Sequence, residues 1–201
     1  MTSGLLYYIH MIHNHSAKII TFVGLTGSGK TAATDYVSGK GFPKVFFGGV
    51  MLDAMKAAGI EDTPVNETEF RHDLIKREGI EFVSTKITAE LRALINAGQH
   101  HIVADGLSSW TEYKMLKHEF SGEMIFVAIV SPKKMRHHRL LTRPVRPLSQ
   151  FEADQRDWDE IETMEKGGPI AIADHYIIND GTIDDLHEKL DKLLVEIEFI
   201  D

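Results

Sequence analysis

No cysteine occurs in the 201 residues, which removes a disulfide framework, a thiolate zinc site and a cysteine nucleophile together. Basic residues are scarce too: 22 Lys and Arg face 30 Asp and Glu, for a formal net charge of -8. Nucleic acid and anionic lipid both repel so acidic a chain, so no bulk nucleic-acid binding and no membrane partner are expected. Long apolar runs are missing, and none reaches the length of a membrane span. Residues 1–16 are apolar at the front but lack a basic n-region and a small-residue cleavage site. That argues against a signal peptide and makes the cytoplasm the expected compartment. What is present, 43% hydrophobic and 26% charged residues, suits one substantial core.

Short β-branched or apolar runs alternate with helical patterning. Strands are predicted at Lys18–Val23, Lys44–Phe47, His101–Ala104, Met124–Val130 and Tyr176–Ile178. Gly48-Gly49 should close the second strand. Helices are expected over Lys30–Ser38, over much of Val50–Gly98 with breaks at Gly59, Pro64 and Gly79, and from Thr182 to about Glu198. Ser131-Pro132 reads as an N-cap and first-turn proline for a further helix. Strands alternating with helices imply a parallel sheet covered on both faces, a three-layer α/β/α arrangement. No repeat or linker splits the chain, so residues 18–201 form one domain behind an N-terminal extension, residues 1–17.

Gly24-Leu25-Thr26-Gly27-Ser28-Gly29-Lys30-Thr31 matches the Walker A pattern G-x-x-x-x-G-K-[ST] without a gap, between a strand and a helix. The chemistry explains the fixed positions. Glycines let the backbone wrap a phosphate with its N–H groups inward, and the helix adds its positive end, with Ala32 in its first turn. Lys30 reaches the outer phosphates, and the Thr31 hydroxyl can ligate magnesium. A P-loop also needs an Asp at the end of a neighbouring strand to hold the ion or its water. Asp105, in His101-Ile102-Val103-Ala104-Asp105-Gly106, has that form; the alternative is a carboxylate that caps the next turn. ATP and Mg²⁺ are the implied cofactors.

The Asn-Lys-x-Asp guanine motif and an LSGGQ-type signature are absent, which leaves a small kinase as the main class. The segments VGLTGSGKT (23–31), IVADGL (102–107), the basic stretch 136–146 and IADHYIINDGTIDDL (172–186) then carry a resemblance. In that order they resemble the nucleotide-kinase branch of P-loop proteins, and most of all adenylate-kinase-related and dephospho-CoA-kinase-like proteins, over about residues 18–194. The resemblance implies a five-stranded sheet of order 2-3-1-4-5, an acceptor-binding helical region at about 49–98 and a helical lid at about 136–150. It implies transfer of the γ-phosphoryl of ATP to a nucleotide or nucleotide-like acceptor, of nucleoside monophosphate or dephospho-CoA type.

The lid also has a basis in the residues themselves. Arg136, Arg139 and Arg143 recur at helical spacing, with Arg146 close behind and Arg156 beyond, in an otherwise acidic chain. Arginines neutralise the charge that spreads over a transferring phosphoryl group, and Arg139 and Arg143 are the lid candidates. The alternative is a solvated face paired with Asp154, Asp157 and Asp159. Two departures from the resembled pattern stand out: no arginine follows the second strand at Gly48–Asp53, and none follows Asp105-Gly106. Arg71, Lys76, Arg77 and Lys86 could replace them, or lie exposed beside Glu69, Asp73 and Glu78. Asp53 is a possible base or a helix cap. The spacing of His10, His13 and His15 would suit a metal, though a flexible terminus is the simpler host. Trp110 and Trp158 are expected to pack. A P-loop ATPase or nucleotide-dependent switch without a small acceptor is the rival reading, and a kinase of a sugar or shikimate-like alcohol a third.

Overall fold

The β-branched run Lys18–Val23 becomes the middle strand, β1, of a sheet whose strands are all parallel. In the computed structural model, which describes residues 17–61, 63–79, 81–107 and 109–200, β2 is Lys44–Phe46, β3 His101–Asp105, β4 Met124–Val130 and β5 His175–Ile178. The order is β2-β3-β1-β4-β5, as the resemblance implies. Nine helices occur among the described residues: α1 Lys30–Ser38, α2 Phe47–Ala57, α3 Pro64–Glu78, α4 Phe82–Asn96, α5 Trp110–Glu119, α6 Lys133–Thr142, α7 Gln150–Glu162, α8 Gly167–Ala171 and α9 Ile183–Glu196. None of the described helices is long and apolar enough to cross a membrane.

Strand pleating sorts the core into two layers. Ile19 and Val23 of β1 join Ile102, Phe126, Ile87, Leu91, Leu116 and Phe120 on the side of α4 and α5. Ile20 and Phe22 point the other way, onto Ala33 and Val37 of α1 and Leu186, Leu190 and Leu194 of α9. Parallel strands buried on both faces read as continuous apolar runs, and Met124–Val130 is the clearest case. Burying one such side chain contributes about 1.5–3 kcal/mol, so these two layers dominate stability. A satellite cluster of Met51, Met55, Phe70 and Leu74 joins α2 to α3.

Two local expectations are overturned. Gly48 and Gly49 do not end β2; helix α2 starts at Phe47 and runs through them. The half-exposed Phe46 ring folds back over Gly48, where a Cβ would come within 2.5 Å of it, so glycine makes room for an aromatic. Ser131 does not cap α6, whose N-cap is Pro132 without a side-chain bond. Its hydroxyl is spent on the phosphate-loop motif instead. Serine and threonine caps do start α5, α7 and α9, each as a reciprocal box: Ser109 with Glu112, Ser149 with Glu152, Thr182 with Asp185.

Candidate active site at the head of α1

Three carbonyls of the glycine-rich loop are drawn to one side by named side chains. Thr26 O accepts from Arg136 Nη1 at 3.1 Å and Gly27 O from Arg139 Nη1 at 3.3 Å. Ser28 O accepts from Asn179 Nδ2 at 2.8 Å and from the Ser131 hydroxyl at 3.1 Å. In a planar trans peptide the N–H points opposite to the C=O, so anchoring these carbonyls turns the N–H groups of Gly27 and Gly29 away from the anchors, while the Ser28 N–H donates to Leu25 O at 3.1 Å within the loop. That is the form of an anion nest at a helix N-terminus. Gly27 and Gly29 hold left-handed φ values of 82° and 103°, and a Cβ at Gly27 would lie 2.9 Å from the Arg136 carbonyl oxygen. Gly24 is buried at the start of the loop.

Lys30, at the first turn of α1, folds back so that its Nζ donates to Leu25 O at 3.2 Å. Burial, and then the Lys166 ammonium, lower its pKa from 10.5 to about 8; Glu160 and Asp105 oppose the fall and Arg156 adds to it. Thr31 is exposed beside it and Ala32 half-buried. Asp105 ends β3 next to β1, its Oδ1 3.4 Å from the Thr34 hydroxyl and its Oδ2 3.9 Å from Lys44 Nζ. Lys44 also holds Asp35 at 3.1 Å. Burial is the main cause that raises the Asp105 carboxyl above 3.8; Asp35 adds to the rise, while Lys44 is the strongest opposing influence. A hydroxyl and a carboxylate whose ionised form wants a cation are hard oxygen donors that fit Mg²⁺. Among the described residues no group of three or more His, Cys, Asp or Glu is set to hold a metal. Magnesium here would depend on phosphate oxygens and water as well.

The basic stretch divides in three. Arg136 is buried, with Nη1 and Nη2 at 2.6 and 2.8 Å from the two carboxylate oxygens of Asp157. Arg139 reaches the loop carbonyls, Ser131 Oγ at 3.1 Å and Asn179 O at 3.3 Å. Arg143 stays apart, its Nε on Arg146 O at 2.7 Å. Of the expected acidic partners, Asp157 takes Arg136, whereas Asp154 pairs with Lys133.

Sequence reasoning missed Glu160. Fully buried on α7, it accepts from the Thr26 N–H at 2.8 Å and from the Thr26 hydroxyl. Lys166 Nζ lies 2.7 Å and Arg156 Nε 3.3 Å from its Oε1. Burial would raise this carboxyl, but Lys166 and the bonds from Thr26 outweigh it and hold the value below 4.5. The available signal was periodicity: Ala153, Asp157 and Glu160 share the buried face of α7, so two acids point inward.

Lys76, Arg77 and Lys86 are exposed on α3 and α4; the Arg71 side chain lies outside the described residues, as do His10, His13 and His15. Asp53 is exposed within α2, so it is no cap. Trp110 packs, stacked on Tyr113 at 5.2 Å. Trp158 does not pack: it is 58% exposed on α7.

No protein-family model matches the chain. A UPF0200 protein of Thermococcus gammatolerans is 32% identical over 181 residues, 89% of this chain and 94% of that one. Among solved structures, a shikimate kinase of Acinetobacter baumannii in complex with shikimate superposes with a TM-score of 0.57 at 18% identity, over 92% of this chain and 97% of that one. A gluconokinase of Sinorhizobium meliloti gives 0.54 at 14% identity, with the same two coverages. The fold is that of the P-loop kinases.

Proposed function

This chain belongs to the UPF0200 family, and from that footing we propose that it is an ATP- and Mg²⁺-dependent kinase of a small molecule. The observation that carries this reading is the half-buried Lys30 ammonium at the mouth of an anion nest, with Asp105 across the end of β3. The acceptor oxygen, a phosphate oxygen of a nucleoside monophosphate or a hydroxyl of an alcohol, bonds to the γ-phosphorus as the bond to the β–γ bridging oxygen breaks. ADP leaves, and where the acceptor is a hydroxyl its proton passes to solvent. Loop N–H groups and Lys30 hold the phosphates and neutralise the charge that moves onto ADP, so the chain contributes positioning and electrostatics. Thr31 and Asp105 would hold the ion or its water; magnesium, when bound, neutralises phosphate charge.

The resemblance favours a nucleotide or nucleotide-like acceptor. One observation favours a sugar or shikimate-like alcohol as a second reading: the fold is shared with a shikimate kinase and a gluconokinase. ADP formation from ATP should be measured alone, then with nucleoside monophosphates, dephospho-CoA, shikimate and gluconate, with Lys30→Met as the blank. Acceptor-stimulated turnover lost in Lys30→Met supports the kinase and names its class. Turnover indifferent to every acceptor sinks it in favour of a nucleotide-dependent switch.

A further inference from the structure

Glu160 is a carboxylate bound where the loop receives anions. It takes the N–H and hydroxyl of Thr26, one residue beyond Leu25, whose carbonyl holds the Lys30 ammonium. In a phosphate loop that lysine serves the β- and γ-phosphates, so Thr26 lies at the outer end of any bound triphosphate. Two cations share the one carboxylate. Arg156 is 43% exposed, a rim position where an ion pair contributes little, whereas Lys166 is 12% exposed and lies 2.7 Å from Glu160 Oε1. The chain bends to put it there: Glu165, just before it, holds a left-handed φ of 54°. An ammonium has three donors, and among the described residues Glu160 engages one of them.

We propose that Lys166 contacts the outermost phosphate of a bound nucleoside triphosphate, and that Glu160 is the positioning residue that parks it at the loop mouth until the triphosphate arrives. This rests on the nucleotide-binding reading above. A buried carboxylate is costly and needs its cations, so Glu160 keeps Lys166 in place while the mouth holds no other anion. An incoming γ-phosphate offers the ammonium more charge than one carboxylate, and an ammonium rotates about its own bond, so the donors that Glu160 leaves open can turn to it without rebuilding α7. Lys166 therefore separates triphosphate from diphosphate, a distinction that loop N–H groups alone do not make.

The test is calorimetric titration of the full chain, with Mg²⁺, by ADP and by a non-hydrolysable ATP analogue. Lys166→Met should weaken the analogue about tenfold or more and ADP less than about threefold, and Lys166→Arg should recover most of the loss. In a Glu160→Gln background the same Lys166→Met change should cost the analogue less than about threefold, since the lysine is then no longer positioned. That double variant leaves no unpaired buried carboxylate, and with Lys166→Arg it keeps the test readable if Lys166→Met alone does not fold. Equal weakening of both ligands by Lys166→Met, cured for both by Glu160→Gln, would mean that Lys166 merely neutralises Glu160 and would overturn the proposal. So would analogue binding indifferent to Lys166. Failure of the unaltered protein to bind either ligand would overturn the nucleotide-binding reading itself.

Discussion

Arg136 and Asp157 meet through two parallel hydrogen bonds of 2.6 and 2.8 Å, and the same guanidinium holds the carbonyl of Thr26 at 3.1 Å. One buried ion pair thus ties α6 to α7 and both to the phosphate loop. Fork-to-fork geometry fixes direction as well as distance, which a lysine at position 136 would not reproduce.

Breaking this pair leaves a buried guanidinium without its counter-charge. Asp157→Asn should lower stability by about 3–5 kcal/mol, read as a shift of the urea midpoint. Burial opposes ionisation of Asp157, but Arg136 and then His137 prevail, and its carboxyl stays below 3.8. Its stabilising contribution is therefore complete above about pH 4 and is lost as pH falls through the lowered value. A midpoint that is unchanged in the variant would show that the pair contributes nothing net.

Lys30 sets a pH dependence of the same sense at the alkaline end of the scale. Its folded value of about 8 lies below 10.5, so between those values the unfolded chain holds more protons and this group's contribution to stability rises with pH. A bound phosphate restores the proton. Nucleotide binding at about pH 8.5 should take up protons, measured as a dependence of binding heat on buffer ionisation enthalpy, and affinity should fall as pH rises further. Binding heats independent of buffer would count against a partly deprotonated Lys30.

Asp105→Asn keeps the size of the side chain and removes the charge. Turnover should fall sharply and the Mg²⁺ requirement shift upward, with nucleotide affinity less affected. Because burial already disfavours the charge of Asp105, the variant should fold at least as well as the parent. An unchanged magnesium titration would return Asp105 to the role of a turn residue.

Arg139 and Arg143 should separate although both are lid candidates by their spacing. Arg139→Gln frees the carbonyl of Gly27, while Ser28 O keeps Asn179 and Ser131, so it should raise KM for ATP by loosening one side of the nest. Arg143→Gln leaves the loop intact, and only a catalytic lid predicts a loss of kcat from it. Protease protection of residues 136–150 by ATP with an acceptor analogue is the companion measurement.

The glycine-rich loop was legible because its chemistry is local: eight consecutive residues specify one backbone shape. The strand order was legible through the sequence of segments, each short and apolar. Asn179 and Glu160 were not, since their roles depend on partners 151 and 134 residues away, which spacing does not encode. Ser131 shows the competition in a single residue. Beside Pro132 it has the form of a cap, yet its hydroxyl lies 2.6 Å from Asn179 O and 3.1 Å from Ser28 O. A buried carbonyl outbids a solvated helix end. Trp158 misled for the opposite reason, because an aromatic reads as core wherever it falls.

The brace from Asn179 to Ser28 also orders events during synthesis. The loop leaves the ribosome well before this brace: Asn179 follows Ser28 by 151 residues, and the α9 face that covers Ala33 and Val37 comes later still. Sheet pairings of β1 with β3 and β4 close long stretches of chain, a slow kind of assembly. The nascent loop is therefore a loose glycine-rich turn until those residues have been made, and takes its rigid form when α9 docks. A chain halted before residue 179 is expected to release a stretch that has the right letters and the wrong shape.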